Sequence, residues 1–237
     1  MTPDLRMVGP DFSEGPLPAL FYFALSAEDS LGLDPFNQPV THLKKFPLRI
    51  FSLDLPAHGP NEDKMEAMAA WSEGLRVDPT GYFEPFFFRF GEALKELSPM
   101  IIKGKLMTAG LSRGGFIAAH LAARFPEISA VMGFSPAAKL LELNGFPEAA
   151  KEYDLVHLIP RLVKTKIKFY IGNHDIRVGT SSAFEFCKSL ADYKFQNGER
   201  SPGVEFSMYP SIGHKGHGTP PAIFTEGAEW AKSILRL

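Results

Sequence analysis

Three short stretches of this 237-residue chain hold the residue types that nucleophilic chemistry needs. The first is Ala109-Gly110-Leu111-Ser112-Arg113-Gly114, a serine set between glycines in the pattern G-x-S-x-G. The second is Gly172-Asn173-His174-Asp175, and the third is Gly213-His214-Lys215-Gly216-His217-Gly218. A serine hydroxyl is a poor nucleophile until a base takes its proton. An imidazole does this near neutral pH, and a carboxylate fixes the imidazole's tautomer and stabilises its cation. Ser112, Asp175 and a histidine of the last stretch are therefore candidates for attack on an acyl carbonyl through a covalent intermediate.

Each stretch also has a plainer reading. Ser112 suits a helix N-cap, and Asp175 suits a loop turn. His214 and His217, with His174 and Asp175, have types that bind metals, although H-x-x-H in a glycine loop is a weak metal signal. The elements that carry these residues are what discriminate. The apolar run Leu106-Met107-Thr108-Ala109 reads as a strand, and Gly115 to Phe125 has apolar residues at helical spacing. Ser112 then lies on a tight strand-to-helix turn where flanking glycines leave space and helix amides point at developing negative charge.

The same alternation runs along the chain. Residues 1 to 18, rich in Pro and Gly, read as a loop. Strands are expected over Ala19–Leu25, Leu48–Leu53, Ala130–Ser135, Lys166–Ile171 and Val204–Tyr209. Helices are expected over Pro39–Phe46, Asp63–Leu75, Phe86–Leu97, Ser181–Leu190 and Pro221–Leu235, with Ser26–Ser30 a polar turn. Apolar strands separated by helices imply an α/β domain, a mainly parallel sheet with helices on both faces. In such sheets the site lies outside the carboxyl ends of the strands, where Ser112, Asp175 and His214 all fall. One domain over residues 1–237 is expected, with 137–165 forming short helices as a small cap or lid.

On these residues and their order, Ser then Asp then His, the chain resembles the α/β-hydrolase superfamily. It looks most like the compact esterases related to dienelactone hydrolase and to the catalytic domain of prolyl oligopeptidases. The resemblance runs over about residues 19–237 and implies the α/β-hydrolase fold, with Ser112 as nucleophile, Asp175 as acid and His214 as base. Related enzymes place the base at this distance after Tyr-Pro, here Tyr209-Pro210, which favours His214 over His217. Asp54-Leu55-Pro56-Ala57-His58-Gly59 resembles the family's D-x-P-x-H-G turn, whose histidine is usually structural. The Arg113 amide is the first expected oxyanion donor. The second should come from Leu25 or Ser26, where many relatives carry His-Gly and this chain does not.

Composition excludes other classes. A formal charge of -2 and no dense basic block argue against nucleic-acid and membrane-surface partners. The start lacks the basic-then-apolar order of a signal peptide, no apolar run is long enough for a bilayer, and the lone Cys187 excludes an internal disulfide, so a cytoplasmic protein is expected. The 21 phenylalanines include the cluster Phe83 to Phe90, read as core ahead of substrate pocket. Arg113 and Arg177 flank the nucleophile and the acid; they suit a substrate carboxylate or pairing with nearby acids. The sequence thus predicts a serine hydrolase, carboxylesterase-like, acting on a small-molecule ester or acyl substrate without cofactor or metal. The alternatives are a non-catalytic small-molecule-binding member of the fold, a thioesterase and an acyltransferase.

Overall fold

The computed structural model describes residues 5–60, 62, 66–143 and 145–237. Among these residues seven strands form one sheet: β1 Arg6–Val8, β2 Leu17–Phe23, β3 Arg49–Ser52, β4 Ile101–Leu111, β5 Ala130–Phe134, β6 Lys166–Gly172 and β7 Val204–Tyr209. Their order is β1-β3-β2-β4-β5-β6-β7, parallel throughout except for β1, which runs antiparallel to β3 on the edge. Among the described residues seven α-helices flank the sheet: α1 Ala27–Gly32, α2 Gln38–Leu43, α3 Ala67–Val77, α4 Glu84–Leu97, α5 Arg113–Arg124, α6 Thr180–Gln196 and α7 Pro221–Leu235. This is the mainly parallel α/β architecture that the strand-helix alternation requires.

Two apolar layers cover the sheet. One joins Phe21, Phe23 and Phe51 of the strands to Trp71 of α3, Phe86, Phe87 and Phe90 of α4 and Phe116 and Ile117 of α5. The other joins Tyr22, Met107 and Phe134 to Val40 of α2 and Phe224 and Ala228 of α7. The phenylalanine cluster is thus core: Phe83, Phe86, Phe87 and Phe90 are buried, while Phe88 on the outer side of α4 is 70% exposed. Each buried ring contributes about 1.5 to 3 kcal/mol by leaving water. Cys187, also buried, packs in the same layer, and burial pushes its thiol pKa up.

Differences from the sequence expectations are local. β1 lies in the segment read as a loop, because three residues on an antiparallel edge leave almost no periodic signal. The stretch read as a polar turn after β2 is instead the short helix α1, started by Ser26, whose side chain accepts from the Asp29 amide. β4 begins five residues earlier than the apolar run, and α6 extends to Gln196. The helix expected over Asp63–Leu75 is α3, Ala67–Val77; residues 63–65 lie outside the described residues. Residues 137–165, excepting the undescribed 144, include two helical turns: Glu148–Tyr153, which packs against α3, and Leu155–Arg161, which packs against α5 and α6. His120 of α5 donates through Nε2 to the Tyr153 carbonyl at 2.8 Å. None of the described residues is in a helix long and apolar enough to cross a membrane.

Candidate active site

β4 pairs with β2 on one side and β5 on the other, so the chain leaving it emerges at the centre of the carboxyl rim. Ser112 follows at once, with φ 55° and ψ -115°, and its amide donates to the Phe134 carbonyl at 2.8 Å. Such a conformation costs a non-glycine residue on the order of 1 to 3 kcal/mol and survives only where its surroundings over-determine it. Close packing supplies that constraint. A Cβ on Gly110 would sit 2.1 Å from the Gly114 carbonyl carbon, and one on Gly114 would sit 1.9 Å from the Phe23 oxygen. These two positions admit only glycine, and the G-x-S-x-G spacing follows from that. The α5 helix starts at Arg113, so the Arg113 and Gly114 amides carry the unsatisfied donors of a helix N-terminus.

Asp175 follows β6 and is 2% exposed. Its Oδ1 accepts from the Arg177 amide at 2.9 Å and the Val178 amide at 3.1 Å. Its own amide donates to Thr180 Oγ1 at 2.9 Å, which in turn donates to the Gly172 carbonyl at 2.6 Å. Oδ2 is left for an imidazole, and that imidazole belongs to His217. The Nδ1 of His217 lies 2.7 Å from Asp175 Oδ2, and its Nε2 lies 2.9 Å from Ser112 Oγ. With Nδ1–H donating to the carboxylate, Nε2 is the acceptor for the serine hydroxyl.

His217 therefore replaces His214, the histidine that the Tyr-Pro spacing favoured. The loop after β7 makes one extra turn, His214–Gly216, entered through Gly213 at φ 74° and left through Gly216 at φ 72°. His214 begins that turn and is exposed, whereas Gly218 bridges back to Ile212 and brings His217 against the serine. Gly216 packs so closely on the next loop that a Cβ would sit 2.2 Å from the His174 carbonyl oxygen. The Ile176 amide also donates to the Lys215 carbonyl at 3.0 Å, which locks the acid and histidine loops together. The glycines that bracket His214-Lys215 were the available sign that the turn is longer than the family spacing assumes.

The cleft over Ser112 has a volume of about 220 Å³. Leu25, Phe36, Leu111, Arg113, Arg177 and Phe224 are among its walls, and none of the described residues of 137–165 is. Leu25 reaches this cleft, but its amide donates to the buried Ser30 Oγ at 3.0 Å. Ser26 is not among the cleft's walls, and its side chain caps α1. Of the expected oxyanion donors, only Arg113 presents an amide at the serine without another acceptor. The D-x-P-x-H-G turn is structural: Asp54 Oδ1 accepts from the Ala27 amide at 2.6 Å, and buried His58 donates through Nδ1 to the Pro56 carbonyl at 2.8 Å.

The electrostatics of the cleft are uneven. The Arg113 guanidinium stands over the Trp71 ring, 5.9 Å from its centroid, and its Nη1 is buried with no hydrogen-bond acceptor. Burial, then the nearby Arg177 cation, pull its pKa down to about 10 against a weaker upward pull from Tyr82. Among the described residues no group of three or more His, Cys, Asp or Glu is arranged to hold a metal ion.

No family model matches the chain, and no curated protein matches it. Solved structures do. Acetyl xylan esterase 1 from Thermoanaerobacterium sp. superposes with a TM-score of 0.70 at 15% identity, over 97% of this chain and 78% of that one. Est1E from Butyrivibrio proteoclasticus, solved with ferulic acid bound, superposes at 0.66 and 14% identity, over 98% and 95%. The fold is that of the α/β-hydrolases. A structure described as a dipeptidyl aminopeptidase IV from Bacteroides ovatus superposes at 0.65 and 19% identity. This α/β-hydrolase fold covers 98% of the present chain but spans only 32% of that one.

Proposed function

We propose that the protein is a serine hydrolase of carboxylic esters, with Ser112 as nucleophile, His217 as base and Asp175 as the acid that orients it. The observation that carries this reading is the continuous hydrogen-bonded chain from Asp175 Oδ2 through both His217 nitrogens to Ser112 Oγ, ending on a strained turn at the mouth of a cleft. The esterases of the same fold support the reaction class.

Ser112 Oγ attacks the ester carbonyl as its proton passes to His217 Nε2. Asp175 stabilises the imidazolium through Nδ1–H. The new oxyanion is held by the Arg113 amide at the start of α5, where the helix dipole favours negative charge. Collapse breaks the bond to the alkoxy oxygen, which takes the proton from Nε2 and leaves as the alcohol. Water then attacks the acyl-enzyme, giving its proton to His217, and the second collapse returns that proton to Ser112 and releases the acid. Rotation of Leu25 NH away from Ser30 Oγ would add a second oxyanion donor. The substrate is a small ester, fitting a cleft of about 220 Å³. The buried single thiol fits a cytoplasmic location.

Intact-mass analysis after exposure to a fluorophosphonate tests this directly. One adduct on the wild type, absent in Ser112→Ala and much slowed in His217→Ala, is the expected result. Full labelling of His217→Ala with none on His214→Ala would return the base to His214. No adduct on folded wild type would favour a binding member of the fold.

A further inference from the structure

A second cavity lies at the opposite end of the sheet from Ser112, at the amino ends of β4, β5 and β6, and its volume is about 1320 Å³. Its lining runs from α4 to α6 across three strands spaced about 4.8 Å apart, which makes it an elongated groove. Leu106, Ala122 and Ile128 form a buried apolar floor, and Ala123, Phe125 and Val163 are half-buried walls. Polar side chains of the lining are spent within the chain. Ser98 Oγ donates to the Lys95 carbonyl at 3.0 Å, Ser129 Oγ to the Leu106 carbonyl at 2.8 Å and Asn197 Nδ2 to the Tyr193 carbonyl at 2.8 Å. An occupant is therefore held along its length by apolar contact.

Charge at the rim is one-sided, with Lys95, Lys103, Arg161 and Lys164 against one acid, Glu127. Lys95 sits in the last turn of α4, where it complements the helix dipole. Lys103, Arg161 and Lys164 lie outside the α-helices and make no ion pair with a described residue. The helix ends at this rim are the C-termini of α4, α5 and α6, which offer carbonyls and not the amide cradle that a phosphate takes. Side-chain cations alone must meet an anion here, and the fork of Arg161 suits a carboxylate.

We propose that this groove is a binding site for a fatty acid, remote from Ser112, with the alkyl chain along the apolar floor and the carboxylate at the end that carries Arg161 and Lys164. The proposal does not depend on the serine-hydrolase reading.

The test is isothermal titration calorimetry with sodium octanoate, decanoate and dodecanoate below their micelle concentrations, and dodecyltrimethylammonium chloride as the cationic control. Kd should tighten about tenfold for every two methylenes added, and the cation should bind at least about tenfold more weakly than dodecanoate. Ala123→Trp, which fills the groove from α5, should abolish binding. Arg161→Gln with Lys164→Gln should raise the dodecanoate Kd at least about tenfold while the dependence on chain length is kept. Both of those side chains are exposed, so this pair carries the test even if Ala123→Trp does not fold. No binding to the wild type, equal binding of the cation, or dodecanoate binding unchanged by the Arg161 and Lys164 substitutions overturns the proposal. A wild-type dimer in sedimentation that Ala123→Trp breaks would give the groove to a second copy of the chain and overturn it as well. Neither readout involves turnover, so failure of the hydrolase reading leaves these outcomes unaffected.

Discussion

The turns that follow β4 and β5 share a positive-φ serine and are opposites in chemistry. Both place a serine at positive φ, 55° for Ser112 and 43° for Ser135, and both serine amides donate to a carbonyl of the neighbouring strand, Phe134 of β5 and Tyr170 of β6. After Ser112 the chain continues as Arg113-Gly114-Gly115 into a helix, with the hydroxyl facing the cleft. After Ser135 comes Pro136, no helix starts, and the hydroxyl is buried 3.0 Å from Tyr209 OH. Tyr209 OH is also within hydrogen-bond distance of Thr219 Oγ1 and the Gly218 carbonyl, beside His217. A strained serine at a strand end is therefore insufficient for nucleophilic chemistry. Access to a base and a helix N-terminus are what separate the two.

The comparison breaks most severely at the β4 turn. Ser112→Ala and His217→Ala should each lower kcat by about ten-thousand-fold or more without loss of fold, measured with any ester the wild type cleaves. Asp175→Asn comes next, with a loss of about a thousand- to ten-thousand-fold, because Oδ2 would no longer select the tautomer that leaves Nε2 free. At the β5 turn Ser135→Ala should cost about 1 kcal/mol of stability in urea denaturation and change kcat/KM by less than about threefold. His214→Ala, three residues from His217, should change kcat/KM by less than about threefold and leave stability unchanged.

A region outside the cleft lining gives a test of burial. His120 lies among Phe87, Phe116 and Tyr153; burial, and then the Arg124 cation bonded to its Nδ1, push its pKa down to about 3. A histidine depressed in the folded state binds fewer protons there than in the unfolded chain. Its contribution is complete above the unfolded pKa of about 6.5 and is lost as pH falls from there toward about 3. Between pH 6.5 and 5 this amounts to about 2 kcal/mol, and His120→Gln should flatten that part of the stability profile.

Much of this protein was legible in its residues, for reasons that are local. The alternation of buried parallel strands with helices is written in apolar runs that need no partner to be recognised, and β7 and α7 fall where the pattern places them. The glycines around Ser112 declare the tight turn because the close approach they permit is a property of the backbone itself. What lay beyond reach were choices made by loops meeting across the rim. His214 and His217 are the same side chain on the same loop, and their separation depends on an extra turn whose left-handed residues pack on the His174 carbonyl. Ser30 takes the Leu25 amide because α1 exists, and α1 is too short to announce itself. The residue types, their order and the strained serine were set by the chain alone. Which imidazole meets the serine, and which cations border the apolar groove, were decided only in three dimensions, because hydrogen bonds and packing between distant segments depend on distances that no local pattern encodes.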